Sequence, residues 1–390
     1  QSAANVVMNE TTLGRGDEPD PVELARRRER DERGCGQALV GRLLKACLDR
    51  GIEPRASSAV TSLVMDGSAV VGVRVSDATG EHVVRARGGV IIATGGFEWN
   101  AELVRSFIRG PLTRSVSVPT NTGDGLKMAM RAGASLGTMR EAWWVPVIDV
   151  PDAAGETFAW MVNRERTRPR TIMVNRSGRR FANEAANYNA FGAAFHQIDT
   201  TSFEYSNVPC WMIFDQAYLV RYGLAGYRGE GEAPAWLTQA ESVDELADKL
   251  GIDAGSLIDT VERWNANAAS GADPEFGRGI SKHDTWWGDP SQPGAAATLG
   301  PLDTAPFWAV AVHSGALGTK GGPRTTGDGQ VIDLDGVPIP GLYAAGNAMS
   351  SVMGMTYGGG GGTLAPGMVF GYLGGRAAAR VAASQGEELR

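Results

Sequence analysis

Residues 355–371 read MTYGGGGGTLAPGMVFG, and five consecutive glycines, Gly358 to Gly362, directly follow Tyr357 in this stretch. Glycine adopts positive φ without strain and lets backbone N–H groups approach a ligand with no Cβ in between, at a cost in conformational entropy. A turn needs only one or two glycines. We therefore expect this loop to lie against a flat or anionic group.

Two apolar segments that end in small residues accompany the glycine loop. GVIIATGG (Gly89 to Gly96) has the pattern of a buried parallel strand whose carboxyl end faces a ligand. GLYAAGN (Gly341 to Asn347) is a second strand-like segment, and a helix rich in Ala and Gly is expected after Pro366. This combination is typical of an α/β nucleotide-binding domain.

Hydrophobic spacing and turn residues predict the remaining elements near the start of the chain. ALVGRLLKACL (Ala38 to Leu48) has helical spacing and Gly51 follows as a stop signal. Alternating runs predict strands over 59–65 and 69–75, with Asp66-Gly67 as the hairpin turn between them. A further helix is expected to open at Thr122 or Asp124 and to close at Gly133.

The middle of the chain has a different character, with many aromatic, arginine and proline residues. Ser242 and Glu245 match a capping box, and Leu257, Val261 and Trp264 mark one face of a second helix. We therefore predict an α/β protein with an α+β insertion. A discontinuous, Rossmann-like nucleotide-binding domain, residues 1–148 and 319–390, flanks a substrate-binding and catalytic domain, residues 149–318.

Composition and charge exclude several classes of function. The net charge of −7 argues against a nucleic-acid surface, since such surfaces need an excess of Lys and Arg. No P-loop, HExxH or GxSxG motif occurs, and the four scattered histidines predict no metal site. The absence of an apolar run of membrane-spanning length and of a signal-like start, together with three widely spaced cysteines, indicates a cytoplasmic protein.

Several ordered motifs give the sequence a specific family resemblance. They run from about Leu39 to the end and comprise EAWWVP (141–146), VNRSGRRFANEAANY (174–188), GRGISKHDTWWGDP (277–290), GALGTKGG (315–322), GLYAAGN and MTYGGGGGTLAPGMVFG. The chain resembles the 3-ketosteroid Δ1-dehydrogenases, within the flavoprotein superfamily of fumarate reductase and succinate dehydrogenase. The resemblance implies an FAD-dependent dehydrogenase of steroid-like ketones.

The resemblance also implies roles for individual residues. The Tyr357 hydroxyl and the Gly361 amide would donate hydrogen bonds to the substrate ketone, as in an oxyanion hole. Tyr188 occupies the position of the family's proton-abstracting tyrosine. The residues expected to hold FAD are Ala59, Val60, Ala93, Thr94, Gly95, Gly96, Gly346, Asn347, Gly362, Thr363 and Leu364.

The dinucleotide fingerprint itself is absent from this sequence. A relaxed GxGxxA at Gly360, Gly362 and Ala365 lacks the preceding strand and the acidic residue that the fingerprint requires. The resemblance places the first strand, the GxGxxG and a supporting tyrosine upstream of Gln1. We therefore expect an N-terminally incomplete FAD-binding domain, with a partner chain as one possible source of the missing segment.

Alternatives to a ketosteroid-type enzyme follow from the same residues. A fumarate-reductase-like enzyme for a small carboxylate would need cationic anchors, yet neither His nor Arg occurs between Met349 and Gly374, which favours an apolar ketone. An incomplete chain or subunit without activity of its own is the other alternative. The electron acceptor is not indicated by the sequence.

Some residues near these motifs have more than one interpretation. Lys320 either caps a turn or precedes two glycines, Gly321 and Gly322, that approach the flavin. Arg179, Arg180, Asn183 and Glu184 are expected to form a structural polar cluster. The tryptophans are either packing residues at a domain junction or the lining of an apolar pocket; they are Trp143, Trp144, Trp286 and Trp287.

Overall fold

The computed structural model describes residues 21–32, 34–152 and 154–387 and divides the chain into two compact units, residues 1–58 and 59–390. The first unit contains α1 (Pro21–Glu29) and α2 (Cys35–Leu48). The second of these confirms the helix predicted from Ala38, although it begins three residues earlier, at Cys35.

The second unit begins with an antiparallel meander of three strands. These are β1 (Ala59–Asp66), β2 (Ala69–Asp77) and β3 (Gly80–Arg85). Asp66 lies opposite Ala69, and Gly67 has a φ of +56° between them. The predicted Asp66-Gly67 hairpin is therefore confirmed.

A small sheet joins two distant parts of the chain. Its strands, in spatial order, are β16 (Gln330–Ile332), β17 (Pro338–Ala344) and β4 (Val90–Ile92). Strands β17 and β4 are parallel, with Ala344 opposite Ile92. Both strands end earlier than predicted, at Ile92 and Ala344, and positive φ angles follow within three residues, at Gly95 (+76°) and Gly346 (+67°).

Three further helices belong to this part of the unit: α3 (Ala101–Phe107), α4 (Asp124–Arg131) and α10 (Leu364–Glu387). Helices α4 and α10 pack against the small sheet, whereas α3 packs through Leu103 against Phe97 and Leu126. Helix α4 starts at Asp124 behind an N-cap Gly123, because the Thr122 hydroxyl hydrogen-bonds the Asp124 carboxylate at 3.2 Å instead of capping the helix. Helix α10 starts at Leu364, before Pro366. The proline is tolerated there because first-turn N–H groups have no intrahelical partner.

A seven-stranded sheet forms the larger part of the unit. Its main path in spatial order is β8 (Thr157–Met161), β7 (Ala142–Pro151), β14 (Phe307–Thr319), β12 (Cys210–Asp215) and β9 (Thr171–Asn175), while β5 (Arg114–Ser115) and β13 (Thr238–Ala240) also pair with β14. Alternate residues of β12 enter two separate hydrophobic cores, Met212 on one side and Ile213 on the other. The sheet is therefore covered on both faces.

The remaining elements are short strand pairs and helices around that sheet. The pairs are β6 (Leu136–Gly137) with β15 (Gly322–Pro323) and β10 (Ile198–Asp199) with β11 (Glu204–Tyr205), and the helices are α5 (Tyr188–Gly192), α6 (Gln216–Tyr222), α7 (Val243–Leu250), α8 (Ala254–Ser270) and α9 (Lys282–Trp286). The α/β fold class is thus confirmed. Strand β7 crosses residue 148 within one sheet, and the division at 148 and 319 stays a prediction.

The predicted helix signals in the middle region are largely confirmed. Ser242 Oγ accepts a hydrogen bond from the Glu245 amide at 3.4 Å, but the Glu245 carboxylate accepts from the Glu241 amide rather than closing back on Ser242. Leu257, Val261 and Trp264 are all buried on one side of α8. None of the helices in the described parts of the chain has the length and apolarity needed to span a bilayer.

A buried ionic cluster stabilises the segment that leads to Tyr188. Arg180 donates to Glu184 at 2.7 Å and to Asp273 at 2.9 Å, and Arg278 lies within 3.2 Å of the same Glu184 carboxylate. Burial alone would raise the pKa of Glu184, but the charges of Arg180 and Arg278 outweigh it and lower the pKa. The structural cluster is confirmed for Arg180 and Glu184, whereas Arg179 is exposed.

Gly341 is the position where the meander and the small sheet meet most tightly. Its φ is +73°, and a Cβ there would lie 2.2 Å from the carbonyl oxygen of Val70. Gly336 has a similar φ of +80°, but a Cβ there would meet nothing within 4 Å. A substitution at Gly336 would therefore cause backbone strain alone, whereas a substitution at Gly341 would cause the same strain together with a steric overlap.

We expect Gly336→Ala to lower the free energy of unfolding by about 1 kcal/mol through backbone strain alone. Gly341→Ala should cost about 1–3 kcal/mol more, because β2 and β17 would have to move apart. Urea denaturation followed by far-ultraviolet circular dichroism measures both values. Equal losses for the two variants would contradict the close approach at Gly341.

Candidate active site

Three of the predicted cofactor-binding groups meet at one edge of the small sheet. Ala93–Gly96 and Gly346–Asn347 follow the carboxyl ends of the adjacent parallel strands β4 and β17, and the Ala345 amide donates to the Ile92 carbonyl at 3.0 Å. Helix α10 brings Gly362–Leu364 to the same place, since a Cβ on Gly346 would lie 3.5 Å from the Cα of Gly367. Ala59 and Val60 belong to a different sheet, at the start of β1, and are exposed.

The side chains at this edge leave an open surface of small residues. Ala93 and Thr94 are exposed at the end of a parallel strand, and Gly361 and Leu364 are exposed at the start of α10. A Cβ on Gly361 would meet nothing within 4 Å. Exposed small residues beside a helix N-terminus fit a dinucleotide, whose flat ring and phosphates need close backbone approach and N–H donors.

At Gly96, in contrast, close packing of a neighbouring residue leaves no room for a side chain. A Cβ there would lie 2.2 Å from the hydroxyl of Thr319. That hydroxyl accepts a hydrogen bond from the Phe97 amide at 2.9 Å, and the Thr319 amide donates to Glu98 at 3.1 Å. The loop after β4 is thereby fixed to the end of β14.

Tyr357 lies at the centre of an aromatic cluster. Its ring contacts the Trp143 ring edge to face, with centroids 4.9 Å apart, and the Tyr188 ring, with centroids 5.3 Å apart. The Trp143 indole is buried and donates from Nε1 to the Asn347 side chain at 3.0 Å. The structure therefore brings together the two tyrosines that the sequence predicts as catalytic residues.

The backbone just before Tyr357 is bound by Lys320. Its ammonium donates to the carbonyl of Thr356 at 2.9 Å and lies 3.4 Å from that of Met355. The same ammonium stands 4.2 Å from the centroid of the Trp143 ring. Lys320 is 1% exposed, and burial lowers its pKa to about 8.

The backbone just before Tyr188 is bound in a comparable way by Arg166. This fully buried guanidinium donates to the carbonyls of Glu184 and Ala186, the latter at 2.8 Å. The Asn187 side chain caps the short helix α5 that Tyr188 begins. Asn189 connects the segment of Tyr188 to the segment of Tyr357, since its side-chain amide donates to the Met355 carbonyl at 3.2 Å.

The hydroxyl of Tyr188 has an unusual electrostatic environment. Burial raises its pKa well above the ordinary value for tyrosine, and a hydrogen bond to the Tyr357 side chain raises it further. The charge of Arg166 acts in the opposite direction and lowers this pKa. Arg166 is therefore the group that favours the tyrosinate form.

Other predicted residues lie outside this cluster or serve packing. Trp144 is buried against the ring of His196, at a centroid distance of 4.4 Å. Trp287 lies by the Thr167 segment, and its carbonyl accepts from the Thr167 hydroxyl at 2.9 Å. Gly321 and Gly322 are buried, and a Cβ on Gly321 would lie 2.7 Å from Met139. The second interpretation of Gly321 and Gly322, an approach to the flavin, is not supported.

The sequence did not reveal the roles of Trp143, Lys320 and Arg166 in holding the tyrosines. Each acts through contacts across long separations of the chain, such as Trp143 to Asn347. The only local signal was a lysine directly after an apolar strand and before two glycines, in the motif TKGG. Arg166 lay in a run of several arginines and had no distinguishing mark.

Several known proteins are similar to this chain. The 4-oxocyclohexanecarboxylate 2-dehydrogenase of Sinomonas cyclohexanicum is 42% identical over 89% of this chain and 61% of its own length. The 3-oxosteroid 1-dehydrogenase of Mycolicibacterium smegmatis is 38% identical over 87% and 61%. The chain thus spans about three fifths of the length of these curated relatives.

A solved structure also resembles this fold. The crystal structure of 3-ketosteroid Δ1-dehydrogenase from Sterolibacterium denitrificans in complex with 1,4-androstadiene-3,17-dione superposes with a TM-score of 0.80, at 36% identity, over 87% of this chain and 61% of that one. The family described as FAD binding domain matches residues 11–364. The chain therefore belongs to the FAD binding domain family, as a flavoprotein similar to the 3-ketosteroid Δ1-dehydrogenases.

Proposed function

We propose that this chain carries the catalytic site of an FAD-dependent dehydrogenase that introduces a C=C bond next to a ketone. The observation that carries the proposal is the contact between Tyr188 and Tyr357, 5.3 Å apart at the ring centroids, beside the open edge of the small sheet. A proton acceptor and a ketone-binding hydroxyl are both needed for such a reaction, and the two tyrosines supply one each.

The ketone would be bound by Tyr357 and Gly361. A hydroxyl and a backbone N–H that both point at the carbonyl oxygen stabilise the negative charge that develops there, and they acidify the adjacent C–H bond. Gly361 has a φ of +89° and is exposed, so its amide is accessible to a ligand. A residue with a side chain would be strained at this φ.

Tyr188 would accept the proton from the carbon next to the ketone. Its raised pKa makes tyrosinate scarce at neutral pH, and the nearby Arg166 charge reduces that disadvantage. FAD, when bound, accepts the hydride that leaves the neighbouring carbon. Proton and hydride together account for the two hydrogens lost, and an external electron acceptor must then reoxidise the cofactor.

An apolar cyclic ketone is the substrate class that the loop favours. Val352 and Met355, which precede Tyr357 in the same loop, are 62% and 61% exposed, and residues 349–374 contain no His or Arg. Exposed apolar side chains suit a polycyclic ketone such as a steroid. A small dicarboxylate would instead require cationic groups at both ends, so a fumarate-reductase-like activity is the weaker candidate.

A ketone with one carboxylate is the second candidate, because the relative with 42% identity is named for 4-oxocyclohexanecarboxylate. This molecule carries its carboxylate on the ring carbon opposite the ketone. One cation beyond the tyrosine pair would be enough to bind it. The two candidates share the same ketone contacts and differ only in what surrounds the far end of the molecule.

We further propose that a segment with a GxGxxG motif completes the FAD site, either from the same gene product or from a partner chain. Helix α10 exposes Leu364, Met368 and Tyr372, which are spaced four residues apart and form one apolar stripe. An apolar stripe on a terminal helix suits a packed neighbour.

The free thiols Cys47 and Cys210 agree with a reducing compartment, the cytoplasm.

Tyr357→Phe should lower turnover of 4-androstene-3,17-dione by about 10²- to 10³-fold, because one donor to the developing oxyanion is removed. Dye-linked reduction by the flavin-loaded protein measures the rate. Tyr372→Phe is the matched control, since Tyr372 is an exposed tyrosine on α10 and should retain wild-type turnover.

The same assay with 4-oxocyclohexanecarboxylate and succinate separates the candidate substrates. Turnover of succinate alone, or equal activity of Tyr357→Phe and wild type, would contradict ketone dehydrogenation. Preference for the oxo acid over the steroid would select the second candidate.

The rate of Tyr188-dependent turnover should rise with pH below the pKa of this tyrosine, by about tenfold per unit, because only tyrosinate accepts the proton. Since burial raises that pKa, the rising limb should extend beyond neutral pH. Tyr188→Phe should abolish the limb together with most activity. A wild-type profile that is flat between pH 6 and 8 would argue against Tyr188 as the base.

Purified chain should take up FAD only weakly, and addition of a polypeptide carrying the GxGxxG segment should raise its affinity for FAD. Visible flavin absorbance of the protein after gel filtration is the measurement. Met368→Glu/Tyr372→Glu, on the part of the stripe outside the predicted FAD-binding residues, is the control that should block the effect of the added segment. A chain that retains FAD fully by itself would show that no further segment is needed.

A further inference from the structure

We propose that Lys320 is a positioning residue of the active site: its buried ammonium fixes the backbone that precedes Tyr357 and thereby orients the Tyr357 hydroxyl. The role in turnover rests on the proposed function. The anchoring of the loop is a property of the chain itself and is measured without any substrate.

Lys320 holds the segment from Ser351 to Thr356 at both ends. The Lys320 carbonyl accepts a hydrogen bond from the Ser351 amide at 2.9 Å, where the segment begins. The ammonium binds the carbonyls of Met355 and Thr356, where the segment ends. One residue at the end of β14 therefore closes the loop that presents Tyr357.

The position of Lys320 is in turn fixed by the larger sheet. It directly follows β14, and its amide donates to the Glu141 carbonyl at 2.9 Å, one residue before β7. Trp143, on β7, supplies the ring next to the ammonium and also contacts the Tyr357 ring at nearly a right angle. The sheet is thus connected to Tyr357 through the side chains of Lys320 and Trp143.

The glycines after Tyr357 make such an anchor necessary. Gly358, Gly360 and Gly361 are exposed, and a Cβ on Gly359 or Gly361 would have no neighbour within 4 Å. The glycine loop therefore adds few contacts that would fix the tyrosine from its carboxyl side. Because an oxyanion donor acts only when it is held in place before the reaction, the amino side must be held.

The charge of Lys320 is not balanced by an ion pair. No carboxylate among the residues that the structure describes lies within 4 Å of its ammonium, and the neighbouring Glu141 already pairs with Arg109 at 2.7 Å. The direct contacts of the ammonium are carbonyl dipoles and the Trp143 ring, and the Glu141 carboxylate attracts it from beyond ion-pair distance while Arg109 repels it. A buried cation without a counter-ion lowers the stability of the fold, so packing alone does not explain this residue.

Lys320 does not act as a substrate anchor. Its side chain is almost fully buried, and its donors are directed at two backbone carbonyls and a ring face. A carboxylate of the substrate would have to displace those contacts. The residue therefore acts through Tyr357 and not on the substrate.

The experiment compares Lys320→Met, Lys320→Arg and the control Lys249→Met, which removes an exposed lysine of α7. Amide hydrogen exchange of residues 351–362, followed by mass spectrometry on the full chain, is the substrate-free readout. Lys320→Met should accelerate exchange of this segment by about tenfold or more, because the carbonyl anchors are lost. Lys320→Arg should preserve most of the protection, and Lys249→Met should leave it unchanged.

Stability distinguishes positioning from a general structural role. Lys320→Met should be at least as stable as wild type at pH 7, since it removes a buried charge that has no direct ion-pair partner and whose pKa burial lowers. The pKa of Lys320 is about 8 in the folded chain against 10.5 ordinarily, so the unfolded chain binds more protons between these values. Wild type should therefore gain stability as the pH rises from 8 to 10.5, and the advantage of Lys320→Met should shrink over that range.

Turnover provides the second readout. Lys320→Met should lower kcat by about 10- to 100-fold with a smaller change in KM, because the displaced hydroxyl still allows binding. If wild type shows no turnover of either ketone while the exchange difference is present, the proposed function fails and the anchoring stands.

Unchanged exchange of residues 351–362 in Lys320→Met would overturn the proposal. If Lys320→Met does not fold, Lys320→Gln, which keeps a donor without charge, takes its place in the same measurements. Failure of both variants to fold would also overturn it, since the proposal predicts no loss of stability when the charge is removed.

Discussion

The architecture of the site depends on two buried cations that bind backbone carbonyls directly before the two tyrosines. Arg166 binds the carbonyls of Glu184 and Ala186, and Lys320 binds those of Met355 and Thr356. Charge-assisted hydrogen bonds of this kind are stronger and more directional than neutral ones. The hydroxyls of Tyr188 and Tyr357 are thus placed through their backbones, and their rings remain free to contact each other.

The long strand β14 connects the hydrophobic cores of the protein to the site. Its first residues pack in the two hydrophobic cores around Trp308 and Ala309, and its last residue, Thr319, fixes the loop after β4. Lys320 follows immediately. A change in the register of β14 would therefore displace both the loop that carries Tyr357 and the loop that follows β4.

The sequence predicts the local features of this fold well, because each has a local cause. The Asp66-Gly67 turn and the buried face of α8 at Leu257, Val261 and Trp264 are set by residues close in sequence. The ends of the strands were predicted less well: β4 ends at Ile92, although the apolar run with small residues continues to Gly96 without a change in polarity.

Within the site, the sequence indicated the two tyrosines through motif resemblance, but it did not indicate their supports. The partners of Lys320 and Trp143 come from remote segments, and no periodicity encodes such contacts. Glycine was also ambiguous at the sequence level. Gly96 and Gly321 are small because neighbours pack against them, whereas Gly361 is small with open space around it. Only the fold separates these two causes.

The edge-to-face contact of Tyr188 and Tyr357 limits how a molecule enters. A ring inserted between two aromatic faces needs them about 7 Å apart, since carbon atoms in contact are separated by about 3.5 Å. The centroids here are 5.3 Å apart, so a flat ring does not fit between them. The ketone that we propose as substrate would therefore approach end-on, with only its carbonyl terminus reaching the hydroxyls. For such a substrate, the number of fused rings behind the carbonyl would not matter to the tyrosine pair, and selectivity for the length of the molecule would depend on residues outside that pair.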